Sequence, residues 1–253
     1  MNPYCFIHCI GKFKVPDPWK NITIGGINRL YYIYGGEGGY FLNGEKYAFK
    51  EKHLYLIPSY NYIPTWSSYE SEEKRLDHLF VNFEIIPPII TKEVIEFDPK
   101  NDPMVSAALL WIEQATNKSK WKINNLEEHE LYCFKAMIVC IVNAMINACN
   151  VKTLDDKILI SALEKIHRGL GGEISIKEIA EESFMSYYGF IRKFKNVIGM
   201  TPYAYLKQLR IRTATALRDG GATLDEAAEK CGYSEASALL HAISGEKRLP
   251  KIK

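Results

Sequence analysis

Ser175-Ile-Lys-Glu-Ile-Ala-Glu-Glu182 and Thr223-Leu-Asp-Glu-Ala-Ala-Glu-Lys230 are two versions of one pattern. Both open on a capping box, Ser175 with Glu178 and Thr223 with Glu226, in which side chains satisfy amide donors that a helix start otherwise leaves orphaned. Both place a small residue, Ala180 or Ala228, where a second helix can approach closely. Both then enter a three-residue turn, Ser183-Phe-Met185 or Cys231-Gly-Tyr233, followed by a serine suited to cap a new helix, Ser186 or Ser234. Two short helices across a tight turn make a helix-turn-helix, and the chain carries the pattern twice.

In the first copy the second helix is expected over 187–197. Phe190, Phe194 and Val197 fall at helical spacing and would hold its inner face, which turns Tyr188, Arg192 and Lys195 outward with Ile191 beside them. Such a helix suits the major groove of a duplex: arginine can donate two hydrogen bonds to guanine or clamp a phosphate, and an apolar edge can meet a thymine methyl. The charge pattern agrees. Residues 152–253 hold 17 basic and 13 acidic side chains, whereas residues 1–151 hold 15 and 17. Ser183 to Arg218 contains Arg192, Lys193, Lys195, Lys207, Arg210, Arg212 and Arg218 and no acid, which points to a polyanionic partner. A solvated face would account for Arg192 and Lys195 alone; the caps, turn and acid-free run together favour the groove. Gly189 weakens this helix by roughly 1 kcal/mol relative to alanine. Between the copies, Thr201-Pro202 opens a longer helix to Arg218. Leu206, Leu209, Thr213, Ala216 and Leu217 share one of its faces and Ile211 and Ala214 lie elsewhere, as suits a bridge between two subdomains.

Upstream the period changes. From Phe6 to about Ile86, short aromatic and β-branched runs alternate with Gly, Pro and Asn, and Asn43-Gly44 is a hairpin signal between Tyr40-Phe-Leu42 and Glu45 to Phe49. Strands at this spacing suggest a small antiparallel barrel or sandwich. Helices are expected from Asp102 (cap) and Pro103 to Lys118, from Leu126 to Cys149, and from Leu154 to Arg168 with Leu154, Ile158, Ser161, Leu163 and Ile166 on one side. The fold class is therefore α+β, with one domain over 1–153 and an all-α domain over 154–253. The apolar stretch Ala136 to Cys149 holds Asn143 and Asn147 and is short for a bilayer, so a buried or subunit-contacting helix through Met137, Ile141 and Met145 is expected. No basic-then-apolar leader opens the chain, and Cys5, Cys9, Cys133, Cys140, Cys149 and Cys231 form no CxxC pair. Reduced thiols, a cytoplasmic location and no membrane partner follow as expectations. Cys5, His8 and Cys9 lack a second ligand pair at finger-like spacing, so no metal is expected there.

Residues from about Ile174 to Leu249 resemble the AraC-type transcription regulators. The matching segments are Ile179-Ala-Glu-Glu-Ser-Phe-Met-Ser186, Phe194-Lys-Asn-Val-Ile-Gly-Met-Thr-Pro202, Tyr205-Leu-Lys-Gln-Leu-Arg-Ile211 and Ala227-Ala-Glu-Lys-Cys-Gly-Tyr-Ser234. The resemblance implies seven helices that hold two reading helices in successive major grooves of double-stranded DNA. On that pattern Tyr188, Ile191 and Arg192 match base-reading positions and Lys195 a phosphate contact; the implied contact set is Ser186, Tyr187, Tyr188, Ile191, Arg192, Lys195, Ser237 and His241. Contact with RNA polymerase is a family-level expectation; activation of transcription is expected too, and a homodimer through the apolar helix, since twofold pairs are the commonest oligomers. The second copy departs from the pattern. Its reading helix, Glu235 to Ile243, lacks the family's aromatic near Ala238 or Leu239, its arginine at His241 and its phenylalanine at Ile243, and 244–250 is too short for the usual closing stretch.

The β-rich half resembles, more weakly, the cupin-like barrel that serves the family as sensor, through Leu54-Tyr-Leu-Ile-Pro58 and His78-Leu-Phe-Val-Asn-Phe83. Asn61-Tyr-Ile-Pro64 stands where an enzymatic cupin would place a histidine, and His53 and His78 are isolated, so neither metal, cofactor nor catalysis is expected. Tyr32, Tyr34, Tyr40 and Trp66 are candidates to line a small-molecule effector site, since aromatic faces stack on planar or apolar ligands; filling the core is the equal alternative for each. The expected function is sequence-specific DNA-binding regulation in response to a small molecule. The alternatives are a ligand-binding or protein-interaction module whose second helix-turn-helix impairs DNA binding, and a metal-free cupin isomerase.

Overall fold

A computed structural model describes residues 4–15, 22–24, 27–59, 63–68, 70–89, 91, 93–119, 125–151, 153–219 and 222–246. The chain divides into two compact units, Met1–Leu154 and Asp155–Lys253.

In the first unit the strands are Tyr4–Lys14 (β1), Ile22–Ile24 (β2), Asn28–Gly35 (β3), Gly38–Leu42 (β4), Glu45–Ala48 (β5), Leu54–Ile57 (β6), Ile63–Ser67 (β7), Asp77–Ile86 (β8) and Ile95–Phe97 (β9). They form two antiparallel sheets, β1-β8-β3-β6-β9 and β2-β7-β4-β5. The β4–β5 hairpin turns on Asn43 and Gly44, both at positive φ, as a two-residue turn matched to strand twist requires. Alternation then assigns the faces. Leu79, Val81, Phe83 and Ile85 of β8 join Leu30, Leu54 and Leu56 in a core beneath two helices, while Phe80, Tyr31, Tyr55 and Ile57 meet Tyr40 and Ile63 of the other sheet. Because the larger sheet is covered on both faces, Leu54-Tyr-Leu-Ile57 is buried throughout.

The expected barrel is corrected here. Among the described residues no ladder joins the sheets: β1 and β9 edge one, β2 and β5 the other. Facing sheets and a closed barrel both hide every second side chain, so the sequence pattern cannot separate them.

Asp102 Oδ1 accepts from the amides of Met104 and Val105 and caps Pro103–Lys118 (α1), with proline at the first position where no amide is needed. Glu128–Ala148 (α2) follows. By length and composition α2 could cross a membrane, contrary to the expectation of a short apolar stretch, yet Phe134, Ile138, Ile141, Val142, Met145 and Ile146 are buried within this unit's own core. Ile141 and Met145 are therefore not available as a subunit surface, and Met137 is only half-buried. Asn143 and Asn147 sit on the exposed side.

The second unit contains Lys157–Arg168 (α3), Ile176–Glu182 (α4), Tyr187–Ile198 (α5), Pro202–Asp219 (α6), Leu224–Lys230 (α7) and Ala236–Glu246 (α8). Asp156 caps α3, so this helix starts later than expected and buries Leu159, Ile160, Leu163 and Ile166; Ser161 is exposed. On α6, Tyr205, Leu206, Leu209, Ile211, Thr213 and Ala214 are buried, which matches a helix packed on more than one side. The closing stretch, read from sequence as too short for the family's final helix, runs on past residue 246, outside the described residues.

Candidate nucleic-acid interface

The first helix pair is built by local chemistry. Ser175 Oγ accepts from the amide of Glu178 to start α4. Ala180 is fully buried, and the amide of Met185 bonds to its carbonyl at 3.0 Å to close the turn. Ser186 Oγ then accepts from Gly189 N at 3.2 Å and starts α5. The inner face of α5 is Phe190, Phe194 and Ile198; Val197, expected inside, is 40% exposed. Both i+3 and i+4 continue a helical face, and here the i+4 row packs. The Phe194 ring lies edge-on to Tyr205 of α6 at 5.7 Å, and the Tyr205 hydroxyl is 2.8 Å from His167 Nε2.

The opposite face is open. Tyr188 is 82% exposed, Ser186, Arg192 and Lys195 are exposed, and Ile191 is half-buried beside them. Tyr187 is held differently: its hydroxyl hydrogen-bonds Tyr203, which raises its pKa, and its ring meets Tyr188 edge-on at 5.3 Å.

The acid-free basic run is not one uniform surface. Lys193 Nζ lies 2.8 Å from Asp156 Oδ2 and ties α5 to the start of α3. Burial works to raise the Asp156 carboxyl, but Lys193 and the amides of Leu159 and Ile158 outweigh it and hold it below its usual range. Arg210 donates from Nε to Leu170 O at 3.1 Å and from Nη2 to Gly172 O at 2.6 Å, bracing the loop between α3 and α4. Arg192, Lys195, Lys207 and Arg218 are exposed.

In the second pair, Thr223 and Glu226 form the full reciprocal capping box. Ala227, Ala228, Cys231, Leu239 and Ala214 of α6 make its small core. The helix α8 starts at Ala236, so Ser234 stands two residues before it and is not its cap. Ser237 and His241 are exposed, Leu240 is largely exposed, and α8 contains no lysine or arginine. Gly232 has φ +73°, and a Cβ there would lie 2.8 Å from Arg210 Nη2 and 2.9 Å from Leu170 O. Gly199 has φ +86° with nothing within 4 Å. Gly199→Ala is expected to cost about 1–2 kcal/mol from backbone conformation alone. Gly232→Ala should cost about 1 kcal/mol more, because it also crowds Arg210 and a carbonyl. Chemical denaturation of both variants, followed by helical circular dichroism, measures the difference.

The four aromatic candidates of the first unit do not converge. Tyr32 and Tyr34 pack edge-on at 5.2 Å on the helix side of β3, where the Tyr34 hydroxyl donates to Glu113 Oε1 at 2.6 Å. Tyr40 is buried between the sheets and stacks on Tyr47 at 5.3 Å. Trp66 donates to Tyr47 O at 3.1 Å, beneath Lys46 Nζ. A polar group on β1 and β8 joins His8 and Cys9, weighed from sequence only as metal ligands, to Asn82 and Glu84, which the sequence did not single out. His8 Nε2 is 3.7 Å from Glu84 Oε1, and Asn82 Nδ2 donates to Cys9 Sγ at 3.2 Å. Among the described residues, His8 Nδ1 and Nε2 and Asn82 Oδ1 are buried without a hydrogen-bond partner. A bulge between Ile7 and Cys9 sets the strand phase here, which no residue pattern announces. Among the described residues, no group of three His, Cys, Asp or Glu side chains could hold a metal ion.

Residues 174–247 match a family model described as a helix-turn-helix domain. Over 87 residues the chain is 36% identical to an AraC-like transcription regulator of Streptomyces antibioticus and 33% identical to one of Streptomyces lividans. Each match covers 34% of this chain and 29% of the relative's length. The structure of ToxT from Vibrio cholerae strain SCE256, solved with an unsaturated fatty acid bound, is similar in fold, with a TM-score of 0.57 at 11% identity over 95% of this chain and 91% of that one.

Proposed function

We propose, on the premise that residues 174–247 are a helix-turn-helix segment of the AraC type, that the chain is a sequence-specific DNA-binding transcription regulator. The observation that carries this is the outward side of α5: Tyr188, Arg192 and Lys195 stand exposed opposite a buried Phe190–Phe194–Ile198 row, on a helix begun by a capped turn. In this reading α5 enters a major groove. Arg192 donates to a guanine edge, Tyr188 and Ile191 meet thymine methyls, and Lys195 and the amides at the Ser186 end engage phosphates. Tyr187 steadies the helix through Tyr203. The pair α7 and α8 is the second half of a double helix-turn-helix, with Ser237 and His241 toward its groove.

Residues 1–153 serve as a cupin-like sensor and dimerising half, and residues 154–253 as the DNA-binding half. The ToxT structure with its fatty acid supports a small-molecule effector for this chain. The buried His8 ring and the buried Oδ1 of half-buried Asn82 offer polar contacts for one. A cytoplasmic homodimer that activates transcription through RNA polymerase completes the proposal; no catalytic step is assigned.

Selection of bound duplexes from a random DNA pool tests it. The wild type should enrich a defined sequence. Arg192→Ala should bind that sequence more weakly by about 1–3 kcal/mol, roughly 5- to 150-fold, and relax the choice at one position. With Arg192, Lys195, Lys207 and Arg218 as the exposed cations of the run, log affinity should fall against log salt with a slope of about −3 to −4, from roughly 0.9 per neutralised phosphate. One observation favours a second reading, a protein-docking module: the cation-free face of α8. Sequence-blind binding that vanishes as salt rises would be its signature.

A further inference from the structure

The turns of the two repeats differ at one position. Phe184 and Gly232 occupy matching places, and both have a left-handed backbone, with φ +54° and +73°. Glycine adopts that conformation freely; a bulky side chain there is strained. Burial does not offset the strain. Phe184 is 99% exposed, the most exposed large apolar side chain among the described residues. Its amide bonds to Glu181 O at 2.9 Å, so the turn is shaped by its backbone while the ring stands in solvent. Glycine or asparagine would make the same turn more easily. An outlier of this kind calls for a role outside the fold.

We propose that Phe184 contacts DNA, packing its ring against deoxyribose and base edges at the rim of the groove that α5 enters; this rests on the role of α5 proposed above. The turn that carries the ring leads directly into that helix, since Phe184 precedes the Ser186 cap by two residues and the exposed Tyr188 by four. The setting suits a polyanion. The two nearest preceding acids are neutralised in place, Glu181 by Lys177 and Glu182 by Lys165, and no acid follows until beyond Arg218.

The full chain, as wild type, Phe184→Gly, Phe184→Asn and Phe184→Trp, is titrated with the selected duplex at two salt concentrations, and its helical melting is recorded. The Gly and Asn variants should bind roughly tenfold more weakly, the low end for losing an aromatic contact to a nucleotide. The factor should be the same at both salts, because no charge is removed. Their melting temperature should rise by a few degrees, about what relief of a strained turn gives in a small domain. Phe184→Trp should keep wild-type affinity. Unchanged affinity in the Gly and Asn variants overturns the proposal, as does weaker binding that comes with lower melting, which would mark a collapsed turn. Unchanged DNA binding with lost self-association would assign the ring to a second copy and also overturn it. If the wild type selects no duplex, the α5 proposal falls as well; if it does and only the Phe184 variants are neutral, this inference alone falls.

Discussion

Phe194→Ala is expected to destabilise the C-terminal unit by about 3–5 kcal/mol, the cost of truncating a buried ring, and with it to abolish the DNA binding proposed for α5. The fully buried Phe194 ring meets Phe190 at 5.9 Å and Tyr205 at 5.7 Å, so it holds the exposed face of α5 in place from behind. Truncation leaves a cavity under α5 and removes a ring contact of Tyr205, whose hydroxyl is engaged with His167. The composition supplies the readout. All four tryptophans, Trp19, Trp66, Trp111 and Trp121, belong to the first unit, so indole fluorescence follows that unit and leaves the second dark. Urea unfolding should show an early loss of helical circular dichroism with an unmoved tryptophan transition. A common shift of both signals, or an unchanged helical one, would count against this packing.

The second large effect is one of pH. His78 is buried among Phe13, Tyr31 and Phe80, and burial pulls its pKa down to about 4 against a hydrogen bond to the Phe13 backbone that opposes the shift. The folded value lies below the unfolded one, about 6.5. The unfolded chain therefore takes up the proton first as pH falls. The stability held by neutral His78 is fully present above pH ~6.5 and is lost progressively between there and about pH 4, roughly 2 kcal/mol by pH 5 and approaching ~3 kcal/mol at the lower limit. Tryptophan-monitored unfolding from pH 7.5 to 5 should show this slope, and His78→Gln should flatten it. Equal slopes in the two proteins would move the proton uptake to another group.

Much of the C-terminal unit is legible in the sequence because its signals are local. A serine or threonine caps the amide three residues on through its own stretch of chain, so the repeat marks both helix pairs before any packing is known, although between the two repeats it is Thr223–Glu226 that also closes the reciprocal half. Asn43-Gly44 is legible for the same reason. What depends on distant partners is not. Alternation cannot tell two facing sheets from a barrel, and the apolar length of α2 does not say whether Ile141 and Met145 meet a second copy or their own sheet. The charge count treats Lys193, Arg210 and Arg192 alike, whereas Asp156 holds the first, two loop carbonyls the second, and the third stands in solvent. Ser234 misleads because a serine near a helix start is common, and the helix begins two residues beyond it.

Arg210 has a consequence for how the second unit comes apart. Its guanidinium grips Leu170 and Gly172 in the loop that leads into the first helix pair, and it also lies nearest the place a Cβ would take on Gly232 in the turn of the second. The two repeats thus share a keystone. The loop entering the first pair and the turn of the second both lie against its guanidinium, so the amides of the two pairs should exchange with solvent together, as one cooperative block, although the sequence reads as two independent modules. Arg210→Lys, which keeps the charge and gives up the fork, should split that block in two.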